Sequence, residues 1–340
     1  MKPEMASGDK PQPLHSGTRP HPLRSSLVLL ATAGIWGFAF VAQRVGMGYI
    51  GPFLFAGMRF CLGAAVLSLV LLVKGTILKP RREELALGVA TKALPLRQLA
   101  KSGLVCAFFL FMGSSLQQVG LVFTSASKAG FLTALYIVLV PILGAVIGQR
   151  ISWNAWLGAV VAVAGLYFMS ITDQLDIIAG DLILIVGALF WAGHILAVDR
   201  YVGDIGQDEL YLVCIAQFLA AGIASFALTP LLDRFFVEST ISIAGLKGAF
   251  VPILYAGVLS TGLAYTLQAV GQQGLPASAA AIIMSLEAVF SMLGGAALLH
   301  ESLTSREVVG CSLMFAAVII AQLPQGWLKR LLPKGTTGDD

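Results

Sequence analysis

The sequence predicts an all-α polytopic membrane protein of ten transmembrane helices, arranged as two inverted five-helix repeats. Three observations predict it. First, 57% of the 340 residues are hydrophobic and a further 37 are glycine, whereas only 12% are charged and the mean hydropathy is +0.85. An ordinary soluble domain is about 45–50% apolar, so too few polar side chains are present to coat a water-facing surface. Second, the apolar residues fall in segments long enough to cross a hydrocarbon core of about 30 Å, which takes about 20 helical residues. Third, the second half of the chain repeats the first.

In order, the spans are expected near Ser26–Met47, Pro52–Val73, Gly103–Phe123, Lys128–Gly148 and Trp153–Ile171, then Asp181–Val198, Leu210–Leu231, Phe250–Val270, Ala277–Leu299 and Glu307–Leu323. Pro52, Pro141 and Pro276 sit at or inside span ends, where a missing N–H is tolerated or replaced by neighbours. Residues 1–24 are polar and proline-bearing, with no apolar core and no small-residue cleavage site, so they are expected to form a disordered cytoplasmic tail rather than a cleaved signal. Residues 326–340 are expected to form a second cytoplasmic tail. The 28-residue loop 74–101 contains the makings of a short surface helix around Glu83–Lys92. Cys61, Cys106, Cys214 and Cys311 all lie in apolar runs without C-x-x-C or Cys/His spacing, so they are expected to pack rather than form disulfides or hold metal.

Charge placement orients the chain. Of 22 Lys and Arg residues, 16 fall in the two tails, the 74–101 loop, and at Arg150 and Arg200, all on one side of a ten-span map. Five lie on the other side (Arg44, Lys128, Arg234, Lys247, Arg306), and Arg59 alone lies within a span. Basic residues collect in cytoplasmic loops, so both termini are expected in the cytoplasm. The net-acidic loop after the sixth span is a weaker opposing signal. The formal charge of +4 is thus a membrane-topology signal, and nucleic acid is not an expected partner.

A shift of 152 positions aligns Gln149-Arg150-Ile151-Ser152 with Glu301-Ser302-Leu303-Thr304, Gly158 with Gly310 and Ala164 with Ala316. Weaker matches set Trp36 against Trp191 and Met58-Arg59-Phe60 against Ala216-Gln217-Phe218. The repeats are therefore placed at 25–172 and 181–325. Because each holds an odd number of spans, the two enter the membrane in opposite orientations.

Several of these residues carry a resemblance. Ile35-Trp36-Gly37-Phe38, Pro52 followed by Arg59-Phe60, and Thr124-Ser125-Ala126-Ser127 in the first half resemble the EamA family of the drug/metabolite transporter superfamily. In the second half, Gly180-Asp181, Trp191, Ser285-Leu286-Glu287 and His300-Glu301-Ser302-Leu303-Thr304 are similar to the same family's second repeat. The resemblance covers about residues 25–325. It implies a ten-helix secondary transporter of a small metabolite, such as an amino acid, exporting it across the bacterial inner membrane. Two positions depart from the pattern. Gln149 stands where the first repeat often has Glu, which is expected to remove a cap or interfacial contact. Ala288 stands where Pro often follows Glu287, which is expected to leave the ninth helix less kinked.

Candidate site residues follow from depth. Glu287 lies ten residues past Ala277, about 15 Å into the membrane at about 1.5 Å per residue. A carboxylate there costs several kcal/mol unless hydrated, paired or protonated, so Glu287 either handles solute and protons or fixes helix packing as a hydrogen-bonded acid. Arg59, seven residues past Pro52, is about 10 Å deep and either grips an anionic group of a solute or anchors helices. His194 stands in the cytoplasmic half of the sixth span, as a titrating group or as a packing histidine. Trp36, Trp191, Tyr136, Tyr265, Gln117, Gln118 and Gln268 are candidate cavity-lining groups, since such side chains stack on or hydrogen-bond to organic solutes, and equally serve interhelical packing. Gly144-x-x-x-Gly148 permits close helix approach.

No G-x-x-x-x-G-K-[ST] sequence occurs, so energy is expected from an ion or solute gradient rather than from bound ATP. Neither cofactor nor metal is expected. The expected partners are a small-molecule solute, the bilayer and protons, with the chain a monomer or homodimer. An enzyme is not the expectation. Its rival is a lipid acyltransferase built on His194 and Asp199, but that pair is five residues apart and so about 140° apart around a helix. A second rival is a non-transporting membrane sensor.

Overall fold

The computed structural model describes residues 21–77, 95–170, 178–236, 242–299 and 304–323. The expected tails, apart from residues 21–24 of the first, and the surface helix around Glu83–Lys92 lie outside them. Among the described residues there is no strand, and the helices are α1 (Pro22–Gly46), α2 (Pro52–Ile77), α3 (Leu96–Phe123), α4 (Ala126–Thr133), α5 (Tyr136–Val146), α6 (Trp153–Ser170), α7 (Ala179–Val202), α8 (Gln207–Leu232), α9 (Ile243–Leu254), α10 (Tyr265–Gln272), α11 (Ala277–Met284), α12 (Glu287–Leu299) and α13 (Ser305–Gln322). A π-helical segment, Tyr255–Ala264, joins α9 to α10. Nine stretches are long and apolar enough to cross a membrane, and the shorter apolar helix Trp153–Met169 is the tenth. The protein is a multi-pass membrane protein.

Spans four, eight and nine are composite: α4 with α5, α9 through α10, and α11 with α12. In span nine the interruption at Ser285–Leu286 tightens the chain, with Leu286 N bonded to Ile283 O (3.2 Å) and Ala288 N to Ser285 O (3.1 Å). The Ser285 hydroxyl also donates to Ile282 O at 2.8 Å, a back-bond that bends helices. The helix therefore breaks here even though position 288 is Ala, so the expected loss of the kink does not follow from the missing proline. Span eight carries Pro252 just before its π segment. A proline supplies no N–H and crowds the carbonyl four residues back, and π segments are found where a helix accommodates such a disturbance.

The pairing of helices is two-fold. α1 packs on span eight, and its counterpart α7 packs on α3. Likewise α2 meets span eight as α8 meets α3, and α1 meets α12 as α7 meets α5. Spans four and nine cross with α5 against α11 and α4 against α12, so equivalent spans run in opposite directions. This is the inverted arrangement that the odd repeat demands. Span ten lies along span five, and exposed apolar residues such as Val160 and Ile319 face outward there, as a lipid-facing surface requires.

Local chemistry explains the sequence matches between halves. Ser152 accepts a hydrogen bond from Ala155 N (3.2 Å) at the start of α6, and Thr304 accepts one from Glu307 N (3.3 Å) while the Glu307 carboxylate accepts from Thr304 N (2.7 Å). Both are N-caps of the last span of a repeat. Gly148 is the chain's described positive-φ glycine (φ 87°), and Gln149 N reaches back to Gly144 O at 2.8 Å. The Gly148 half of the G-x-x-x-G pair thus ends a helix, whereas Gly144 sits against Gln149, Ile151 and Leu196. Gln149 itself donates to Asp199 Oδ2 at 3.0 Å. The substitution of Gln for the expected Glu therefore does not remove an interfacial contact: an amide can donate to Asp199, and a carboxylate could not.

The four cysteines are free, Cys106 and Cys214 buried and Cys61 and Cys311 half-buried. No cluster of metal-ligating side chains occurs among the described residues.

Candidate functional site

A cavity lies where spans one to four of the first half meet spans six, eight and nine of the second. From the first half come Trp36, Phe40, Gln43, Arg59, Gln117, Thr133 and Tyr136. From the second come Trp191, Ile195, Ser260, Tyr265, Gln268 and Glu287.

The rings form one wall. Tyr265 stands between the two tryptophans, 4.8 Å from Trp36 and tilted, 6.2 Å from Trp191 and stacked within 20°. The Trp36 indole N–H donates to Ser260 O in the π segment at 3.2 Å, which fixes the plane of the ring. The Trp191 indole nitrogen is buried without a hydrogen-bond partner. Gln43 and Gln117 join across spans one and three, Nε2 of Gln117 donating to Oε1 of Gln43 at 3.2 Å. On the other side Gln268 donates to Gln272, and Gln272 to Ile195 O, each at 2.9 Å.

Glu287 opens α12 and Tyr136 opens α5, so each is the first helical residue after the break in its span. They differ by 151 positions, which makes them counterparts in the two repeats. Both point into the same cavity. The Glu287 side chain is 4% exposed, with Oε1 lacking a partner, and the Tyr136 hydroxyl is buried and unpartnered too. The first span reaches this point because of Gly37. A Cβ there would lie 2.7 Å from the Glu287 carbonyl oxygen, well inside contact distance, so only glycine lets α1 press against the start of α12.

Arg59 is 1% exposed, with Nε and Nη2 both without partners, and its guanidinium carbon lies 4.6 Å from the centre of the neighbouring Phe60 ring. Among the described residues no ion pair within 4.0 Å joins it to Glu287. Arg59 and Glu287 thus share the cavity without forming an ion pair.

Eight of the ten sequence candidates line this space: Trp36, Arg59, Gln117, Tyr136, Trp191, Tyr265, Gln268 and Glu287. Two do not. His194 stands behind the ring wall, edge-on to Trp191 and Tyr265, with Nε2 2.9 Å from Gln217 Oε1 and Nδ1 unpartnered. Neither of its ring nitrogens bonds Asp199, which accepts from Gln149. Gln118 points toward the end of span one, its Nε2 3.1 Å from Met47 Sδ. Gln43, Thr133 and Ser260 line the cavity without having been singled out. Gln43 is a polar residue in an apolar span and carried a signal, whereas nothing distinguishes Phe40 or Ile195 from ordinary packing residues.

The EamA-like transporter family matches the chain twice, over residues 23–171 and 178–322. An uncharacterized transporter of Archaeoglobus fulgidus is 30% identical over 304 residues, covering 88% of this chain and 86% of the relative. The uncharacterized transporter YoaV of Bacillus subtilis is 23% identical over 304 residues, covering 86% and 95%. A solved crystal structure superposes with a TM-score of 0.69 over 91% of this chain and 99% of the other, at 17% identity, which shows a shared fold.

Proposed function

The chain belongs to the EamA-like transporter family, and on that premise we propose that it is a secondary transporter that exports a small organic solute, an amino acid or a molecule of similar size, across the bacterial inner membrane. The two inverted halves alternate access to the cavity between them, with both tails in the cytoplasm. The observation that supports this best is the cavity itself. It is bounded by matched residues of both repeats, Trp36 with Trp191 and Tyr136 with Glu287, at the place where inverted-repeat transporters bind their solutes.

Each lining group has a task in this cycle. The aromatic wall of Trp36, Tyr265 and Trp191 takes the flat or apolar part of the solute. The glutamines offer amide donors and acceptors on both flanks. Glu287 carries the coupling proton: a carboxyl buried in the membrane exchanges it as the cavity opens to one side or the other. The acyltransferase alternative draws no support from a His194 and Asp199 that are held by different residues.

Purified protein in liposomes tests the proposal. Gradient-driven solute flux without covalent turnover, in a screen across amino acids, nucleobases, sugars and cationic drugs, is the expected result. Acyl transfer to lipid, or solute binding without flux, would overturn it in favour of an enzyme or a sensor.

A further inference from the structure

A guanidinium keeps its charge at any physiological pH, and burying it within a membrane without an anion costs several kcal/mol. Arg59 is so placed. Its Nε and Nη2 lie on the same edge of the guanidinium, both are buried, and neither has a partner. That edge presents two parallel N–H donors spaced to match the two oxygens of a carboxylate. The Phe60 ring 4.6 Å from the guanidinium carbon covers a face rather than this edge. Glu287, the acid of the same cavity, is not within 4.0 Å of it.

We propose that Arg59 is the specificity-determining residue of the site and receives the carboxylate of the transported solute. This rests on the cavity being the transport site and narrows what that site accepts. Carboxylate is favoured over a phosphate ester by charge: a dianion would face one guanidinium and, in the same space, the Glu287 carboxyl. A single planar negative group is balanced by Arg59 alone.

The repeats also fix the direction in which the solute lies. The counterpart of Arg59 in the second half is Gln217, which is engaged with His194 at 2.9 Å. The cavity therefore holds one carboxylate-binding edge and no symmetric copy of it. The solute's carboxylate points to the second span, with its body along the Trp36, Tyr265 and Trp191 wall.

The test uses full-length protein in detergent, with 3-phenylpropionate, its neutral amide and phenylethylphosphonate as probes and tryptophan fluorescence as the readout. The acid is expected to bind about tenfold or more tightly than the amide, the scale of hydrogen bonds to a charged group, and more tightly than the phosphonate. Arg59→Gln should erase the difference between acid and amide, and Arg59→Lys, which keeps the charge but loses the fork, should retain part of it. A structural arginine would lower thermal stability in these variants and leave the acid-to-amide ratio unchanged. Equal binding of acid and amide by the unmodified protein, preference for the phosphonate, or no fluorescence response to any probe overturns the proposal, even if Arg59→Gln does not fold. Flux of uncharged solutes with no preference for carboxylates would overturn it while leaving the transport function standing. Absence of all flux would instead count against the transport function.

Discussion

Replacing Glu287 with glutamine should uncouple the transporter while leaving it folded. Among the described residues that line the cavity, Glu287 is the sole acidic side chain, so if it carries the coupling proton, as proposed, one proton is available per cycle. A single pH unit across the membrane is about 1.4 kcal/mol per proton. One proton exchanged per solute therefore sustains about a tenfold solute gradient at steady state. The assay is uptake into proteoliposomes across a one-unit pH gradient, with the membrane potential clamped and protein-free vesicles subtracted. The unmodified protein should concentrate its solute about tenfold. Glu287→Gln should bring it only to equality, while still exchanging labelled for unlabelled solute across the membrane. Stability should change little, because the amide keeps the shape of the carboxyl and an oxygen that can accept a hydrogen bond. A variant that still accumulates solute in proportion to the pH gradient would refute the coupling role and leave Glu287 a packing residue. A hundredfold gradient in the unmodified protein would mean two protons and a second titrating group.

Three further outcomes are expected. A reporter fused after Lys79 should be cytoplasmic and one fused within 173–180 periplasmic, and finding both on one side would rule out the topology. Trp36→Ala and Trp191→Ala should each weaken solute binding more than they lower thermal stability, and single cysteines at these positions, in a cysteine-free background, should react with a water-soluble thiol reagent and be shielded by solute. Labelling that requires detergent, or is unaffected by solute at both sites, would contradict their cavity role. Asp233, at the end of the neighbouring α8, is buried and accepts from Phe53 N at Oδ1 (2.9 Å) and from Leu54 N at Oδ2 (2.8 Å), capping α2. Asp233→Ala should therefore cost about 1–3 kcal/mol by stranding those donors, read as a lower melting temperature in detergent that Asp233→Asn restores only in part, because its single carbonyl oxygen replaces one of the two carboxylate acceptors.

Span number and repeat order were legible in the sequence because both are written in long-range patterns. Twenty apolar residues cannot be mistaken for a short core helix, and Ser152 and Thr304 match because the same capping chemistry is required twice. The breaks were not legible. Ala134-Leu135 and Ser285-Leu286 are ordinary helix-forming or neutral residues, and the tightening there is a property of packing between α4, α5, α11 and α12. Nor does the π segment of span eight announce itself, since Tyr255–Ala264 is as apolar as its flanks. Depth along a helix separates a midplane residue from an interfacial one, but it does not say which way a side chain faces. His194 and Gln118 had suitable depth and chemistry and still point away from the cavity. Gln43, one helical stretch beyond Trp36, points in.

The departure from symmetry is the informative part of the site. An inverted repeat with identical residues in both halves would build a cavity with a two-fold axis, unable to tell one end of a solute from the other. Here the backbone keeps the symmetry while the polar side chains break it. Trp36 and Trp191 preserve the aromatic contribution of each half. At the paired helix breaks, however, the first half supplies a phenol at Tyr136 and the second a carboxyl at Glu287, and in the second spans of the repeats the first half has Arg59 where the second has Gln217. Each half thus contributes one ionisable or charged group that the other lacks. Such asymmetry would orient an asymmetric solute, and the acid, Glu287, lies on the half opposite the cation, Arg59. If Arg59 takes a solute charge and Glu287 a proton, as proposed, then rocking the halves apart changes the distance between those groups and links the two loadings by geometry. Exchanging them, with Tyr136→Glu combined with Glu287→Tyr, would preserve the composition of the cavity and move the acid to the half that carries Arg59. If the linkage holds, that double variant loses coupled uptake while each helix break, and the fold built on it, is retained.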